Sequence, residues 1–350
     1  MKIVVLAGGA SPERNVSLSS GTKIAQALRS LGHETALVDM YFGLEDYPGL
    51  DWEELYGAEA PERWQTVSRE APDMEAVRGS RKWEGKGEFG PGVLDLCRGA
   101  DLVFLALHGQ CGEDGRVQAA FDLMGIPYTG SGYLGSAIAM DKDLTKRLVS
   151  HIVPTPEWRF AAYTEKEVDS LTSKTAVPCV VKPVDSGSSI GVAIARDKKA
   201  LHAALLEGLR YGGRCVLERY VKGREIQVGV LDGKALPAIE IIPREGFYDY
   251  ENKYQPGAAE EVCPAPLTPE QASQVGRLAE EVYEALDLAV YSRADFILDE
   301  DGKFWFLEIN TLPGMTPTSL LPQEAAAAGM DYPELCRRIV ESSLRRRRGT

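Results

Sequence analysis

The residues best suited to chemistry lie toward the C-terminal end, in the run Phe304-Trp305-Phe306-Leu307-Glu308-Ile309-Asn310. Side chains two apart on a strand share a face, so Glu308 and Asn310 present two oxygen donors together at the end of an apolar strand. The run 292–298 carries Arg293 and Asp295 with the same spacing, and Asp299-Glu300-Asp301-Gly302 joins the two runs as a hairpin. Pairing then brings Asp295 beside Glu308. Two carboxylates that close repel unless a cation or a proton intervenes. Carboxylate and amide oxygens, with positions left for water and phosphate, suit magnesium. Solvated hairpin charges are the competing reading, and the neighbours Phe296, Phe306 and Leu307 weigh against it.

A second cluster is Lys182-Pro183-Val184-Asp185-Ser186-Gly187-Ser188-Ser189-Ile190-Gly191. Glycine and serine let backbone N–H groups approach phosphate oxygens, and Lys182 ends an apolar strand as a cation for the same anion. The loop lacks the GKS or GKT ending of a P-loop, and Gly8-Gly9-Ala10 does not complete the GxGxxG of a dinucleotide site.

The elements that must position these groups follow from periodicity. A strand at 2–7, a helix over 17–31 and a strand at 34–39 make a β–α–β opening. A buried strand at 101–107 delivers His108-Gly109 and the loop Gly112-Glu113-Asp114-Gly115 to its C-terminal end, where open α/β sheets bind ligands. Residues 41–92 lose periodicity and read as an insertion of irregular or helical pieces. Further on, the pattern predicts a helix over 142–150, a hairpin of 180–183 with 190–194, and a helix over 198–211. Strands at 215–220, 225–231 and 235–242 follow, then a helix over 269–286 and the hairpin described first. This divides the chain into an N-terminal α/β domain (1–130), a small central α+β domain (131–217) and a larger C-terminal one (218–350).

Composition narrows the function classes. A chain of 350 residues, 44% apolar and 26% charged, is a soluble globular protein of more than one core. No apolar run reaches membrane-spanning length, and the first apolar run is too short for a signal peptide, so no membrane partner and a cytoplasmic location are expected. A net charge of −13 argues against nucleic acid as a partner. The run 345–348, four arginines, reads as a solvated, frayed tail after a helix. The six cysteines are scattered singly and read as reduced structural thiols, and the four histidines form no zinc cluster.

Several motifs occur together and in order: residues 8–17 (GGASPERNVS), 107–115 (LHGQCGEDG), 128–132 (YTGSG), Met140-Asp141-Lys142, the 182–191 loop, 247–254 (FYDYENKY) and 308–316 (EINTLPGMT). With them the chain resembles the ATP-grasp superfamily and, within it, the D-alanine–D-alanine ligases, over nearly its whole length. The resemblance implies α/β and α+β architecture, an ATP-grasp fold preceded by a Rossmann-like α/β N-terminal domain. It implies ATP held by Lys142, Lys182, Glu218 (at the adenine amino group) and Glu225 (at the ribose). It implies two magnesium ions, with manganese as a substitute, on Asp295, Glu308 and Asn310.

The reaction so implied activates one D-alanine as an acyl phosphate, joins it to a second for peptidoglycan precursors, and releases ADP and phosphate. Arg293 and the backbone at Gly314 match the groups that stabilise the oxyanion. Glu13 matches the carboxylate for the first substrate's ammonium, grouped with Ser188 and Tyr254. His108 and Lys253 match substrate-binding positions, and Ser319 and Leu320 match contacts to the second substrate. Residues 247–254 read as a loop that closes over the site, and Tyr254 favours an amine over D-lactate. A D-serine acceptor stays open, as does a binding module without catalysis. Arg219 stands where a lysine commonly follows the glutamate, and Asn15 replaces a common acid. By resemblance the protein is a homodimer.

Overall fold

The computed structural model describes residues 1–65, 72–187, 190–243 and 259–348. β1 (Lys2–Ala7) is buried from its second residue, and α1 (Arg14–Ser30) crosses it to β2 (Glu34–Asp39), which pairs with β1 in parallel. The helix begins three residues before the expected start. The turn that donates Arg14 N–H to Ser11 O at 3.0 Å already leads into it and leaves Glu13 at the cap. The 41–92 insertion holds short 3-10 turns at 43–46, 54–56 and 62–64 and the helix α2 (Met74–Ser80). It is anchored by the buried Trp64, edge-on to Tyr47 at 5.9 Å. α3 (Val93–Arg98) leads to β3 (Leu102–Leu105), which closes a parallel sheet of order β2-β1-β3.

After α4 (Arg116–Met124) and α5 (Tyr133–Met140), Asp141 caps α6 (Lys142–Val149), accepting the Asp143 and Leu144 N–H groups at 3.0 and 2.9 Å. A second, antiparallel sheet follows. It is built from β4 (Trp158–Ala162), β5 (Cys179–Pro183), β6 (Ala193–Ala195) and β7 (Arg214–Arg219) in the order β4-β7-β5-β6. It is backed by α7 (Val168–Lys174) and α8 (Lys198–Gly208).

The third sheet, also antiparallel, uses β8 (Gly223–Leu231), β9 (Lys234–Ala235), β10 (Ile239–Pro243) and β11 (Ala259–Val262). After α9 (Pro269–Ala285) come β12 (Tyr291–Asp299) and β13 (Phe304–Asn310). The order is β11-β10-β8-β12-β13, with β9 on β8. The single strand expected over 235–242 is therefore two pieces. Pro237 lies in the gap, and proline has no N–H to give a ladder.

α10 (Leu320–Ala327) and α11 (Tyr332–Arg348) complete the chain. α11 corrects the frayed-tail expectation. It stays helical through Arg348, Arg345 pairs with Asp232 at 3.0 Å, and Arg346 donates to Gly130 O at 2.8 Å. Its apolar residues Leu335, Cys336, Ile339 and Val340 pack into the same core as β1 and β3. No helix among the described residues is long and apolar enough to cross a membrane. The six cysteines are unpaired.

Candidate active site

The β12–β13 hairpin has the register that alternation predicts: Asp295 opposite Glu308, and Arg293 opposite Asn310, with a bulge just after Asp295. Strand pairing thus gathers two carboxylates, one amide and one guanidinium at one end of the third sheet. Arg293 holds Asp295 with two bonds, Nε to Oδ1 at 2.9 Å and Nη2 to Oδ2 at 3.1 Å. Glu308 meets Lys142 Nζ at 3.2 Å. All three proposed metal positions offer oxygen, the donor a hard divalent cation takes, and each of the two carboxylates has a cation beside it.

Lys142 also ties the hairpin to the loop after β5. Its Nζ donates to Ser186 O at 2.7 Å, and its own N–H to Val184 O at 3.0 Å. The loop, the start of α6 and β13 therefore meet at one cation. Glu113 lines the same cavity, with Gly187, Asn310 and Thr311.

Deeper in, Glu218 is 1% exposed and is gripped by two lysines, Lys146 and Lys182, each with Nζ 2.6 Å from one carboxylate oxygen. Burial opposes the Glu218 charge, but the two ammonium groups outweigh it and hold its pKa below the ordinary value. Burial likewise disfavours charge on Lys182, yet Glu218, Glu308 and Glu225 together keep its pKa above that of a free lysine. Lys146, wholly buried and the second cation on one carboxylate, is pushed down by burial. Glu225 accepts from Gln227 Nε2 at 3.2 Å on β8.

At the end of β3, Glu13 and His108 are both buried. His108 Nδ1 lies 3.0 Å from Leu312 O. A carbonyl only accepts, so Nδ1 carries the proton. Burial lowers the imidazole pKa, which leaves Nε2 as a bare acceptor with no hydrogen-bond partner among the described residues. Glu113 accepts the Gly109 N–H at 2.7 Å, and burial next to the Glu13 charge pushes its pKa up to about 8.

Gly314 lies in the loop between β13 and α10, where a Cβ would come 3.0 Å from Ser319 Oγ. That hydroxyl accepts the Thr316 N–H at 3.1 Å and meets Thr316 Oγ1 at 2.7 Å. Leu320 instead packs into a small apolar cluster with Ile239 and Ile241. Ser188, Lys253 and Tyr254, and the loop read over 247–254, lie outside the described residues. Arg219, the departure noted after Glu218, rests its guanidinium 4.9 Å from the Trp305 ring centre.

Sequence reasoning passed over Lys146, Glu113 and Glu324. Lys146 was findable: it follows Lys142 by four on a helix, so both share the buried face. Glu113 lay inside a motif read only as a loop. Glu324, buried on α10 and accepting the Gly229 N–H at 2.8 Å, left no sequence signal among its alanines.

Comparison with known proteins gives the family. The family model described as D-ala D-ala ligase N-terminus matches residues 2–131, and that described as D-ala D-ala ligase C-terminus matches 151–341. A D-alanine–D-alanine ligase of Pediococcus pentosaceus is 42% identical over 342 residues, covering 97% of each chain. One of Anaeromyxobacter sp. is 41% identical over 344 residues, covering 98% of this chain and 96% of its own. The solved D-alanine–D-alanine ligase of Bacillus anthracis superposes with a TM-score of 0.73 at 32% identity, over 100% of this chain and 99% of that one. The same enzyme complexed with ATP gives 0.72 at 31%, with the same coverage. Parallel N-terminal sheet, two antiparallel sheets, a lysine-lined cleft and full-length likeness lead to one conclusion: this chain belongs to the D-alanine–D-alanine ligase family and has its ATP-grasp fold.

Proposed function

We propose that the chain is an ATP-dependent ligase that joins two D-alanines for peptidoglycan precursor synthesis, through an acyl phosphate, with release of ADP and phosphate. The observation that supports this most is the register of β12 and β13, which sets Asp295 against Glu308 and Arg293 against Asn310 beside Lys142. Lys142 and Lys182 hold the ATP phosphates and Glu225 the ribose. Glu218 meets the adenine amino group and, by gripping Lys182, joins that contact to the phosphate end. Asp295, Glu308 and Asn310 would hold magnesium, as two ions replaceable by manganese, which would supply charge neutralisation for phosphoryl transfer.

Arg293, aided by the backbone at Gly314, bears the oxyanion that develops when the second amine attacks. Glu13, with Ser188 and Tyr254, receives the first ammonium, and His108 and Lys253 line that substrate. Ser319 and Leu320 face the second. Positioning and charge account for most of such a rate enhancement. The same reading makes the protein a cytoplasmic homodimer.

The test is phosphate release from ATP with D-alanine alone and with D-serine, D-lactate or L-alanine added as acceptor. Turnover with D-alanine alone is expected. Turnover only when D-serine is present overturns the assignment. In addition, Glu308→Gln abolishes magnesium-dependent turnover with an unchanged circular dichroism spectrum; activity near wild type would show the metal to be elsewhere.

A further inference from the structure

Two buried carboxylates flank one pair of glycines. The Gly109 N–H donates to Glu113 Oε2 at 2.7 Å, while a Cβ on Gly109 would lie 3.0 Å from Glu13 Oε2. From the other side, a Cβ on Gly187 would lie 2.8 Å from Glu13 Oε2 and 3.8 Å from Glu113 Oε2. The absence of side chains at both glycines is what lets the two acids share the space. His108, whose Nε2 has no hydrogen-bond partner among the described residues, has an imidazole on which both Glu13 and Arg293 act electrostatically. Glu113 itself feels Glu13 and Arg293.

Buried charge is costly unless matched, and two like charges side by side would be costlier still, so without a cation Glu113 keeps its proton into the neutral range. A cation between them removes both costs. An α-amino acid brings one in the right form: its ammonium has three N–H donors, and its carboxylate belongs with Arg293. A lone acid for that ammonium would leave Glu113, among the described residues, with a single hydrogen bond from its own turn.

We propose that Glu113 is the second carboxylate of the ammonium pocket for the first amino acid, opposite Glu13, with His108 Nε2 as the third acceptor. This rests on the ligase reading above and deepens it: the pocket demands a full positive charge at the α-position, not merely a hydrogen-bond donor. The competing role for Glu113 is to cap Gly109 N–H and shape its own loop.

Glu113→Gln separates the two roles, because glutamine keeps an acceptor for Gly109 N–H and loses only the charge. The holoprotein, saturated with magnesium and a non-hydrolysable ATP analogue, is titrated calorimetrically with D-alanine and with propionate, which has the same carboxylate and no ammonium. The variant is expected to weaken D-alanine by about tenfold or more and propionate by less than about twofold. Equal weakening of both ligands, or no weakening of D-alanine, overturns the proposal. Should Glu113→Gln not fold, Glu113→Asp, which withdraws the charge by one methylene, carries the same comparison and the same criteria. Phosphate release by the wild type with D-alanine is measured alongside. Its absence would sink the ligase reading; its presence with unselective loss in the variant would sink only the role of Glu113.

Discussion

Lys146 has no exposed surface and, among the described residues, meets Glu218 Oε1 at 2.6 Å and Thr155 Oγ1 at 2.7 Å, with the Trp158 ring centre 5.9 Å from its Nζ. Breaking a buried pair by removing one partner leaves an uncompensated charge, which costs about 3–5 kcal/mol. Lys182 still holds Glu218, so Lys146→Gln is expected to lower the unfolding free energy by less than that and to raise the KM for ATP, since Lys182 then serves Glu218 alone. A KM unchanged within twofold would detach Lys146 from the nucleotide site. Glu324 gives the opposite case. Burial raises its pKa well above the ordinary 4.5, so the folded state keeps a proton that the unfolded chain releases. Stability therefore falls as pH rises, beginning near the unfolded value and continuing through the folded one. Glu324→Gln keeps the acceptor for Gly229 N–H and has no proton to lose. Its thermal midpoint should gain on the wild type as pH rises above the ordinary carboxylate range; parallel curves would show that Glu324 has no raised pKa.

At the scale of elements, the sequence disclosed what depends on alternation and hid what depends on approach between distant segments. The pairing of Asp295 with Glu308 followed from two strands and a four-residue turn, and so did the β5–β6 hairpin that carries the glycine–serine loop. Pro237 splitting one strand into β9 and β10 is visible in hindsight, because its missing N–H is a local fact. Lys146 on Glu218 spans two elements far apart in sequence, and no periodicity reports which buried lysine meets which acid. The arginines of α11 failed for the same reason: charge density suggests a solvated tail, while their partners Asp232 and Gly130 lie on other elements. They predict a graded response. Arg345→Ala removes an exposed ion pair and should leave the unfolding midpoint almost unchanged. Arg346→Ala removes a charge-assisted bond to a backbone carbonyl and should cost about 1.5 kcal/mol. Equal effects in guanidinium unfolding would contradict this.

For the molecule as a whole, charge is handled locally. The net balance is −13, yet the cations of the cleft each rest on an acid: Lys142 on Glu308, Arg293 on Asp295, Lys146 and Lys182 on Glu218. Steering of an anionic nucleotide by the overall field is thus unfavourable, and ATP association should quicken as salt screens that field. Stopped-flow association slower at 0.3 M than at 0.05 M salt would contradict this. The packing of α11 has a consequence for synthesis on the ribosome. Leu335, Cys336, Ile339 and Val340 complete the core around β1 and β3, so the first sheet to emerge is finished by the last helix. Until then α1 and its sheet carry an open apolar face, the kind of surface that chaperones shield and that aggregates when left bare. A chain ending before Tyr332 would keep that face for good, and its fate in the cell would be decided by solubility before catalysis could be asked of it.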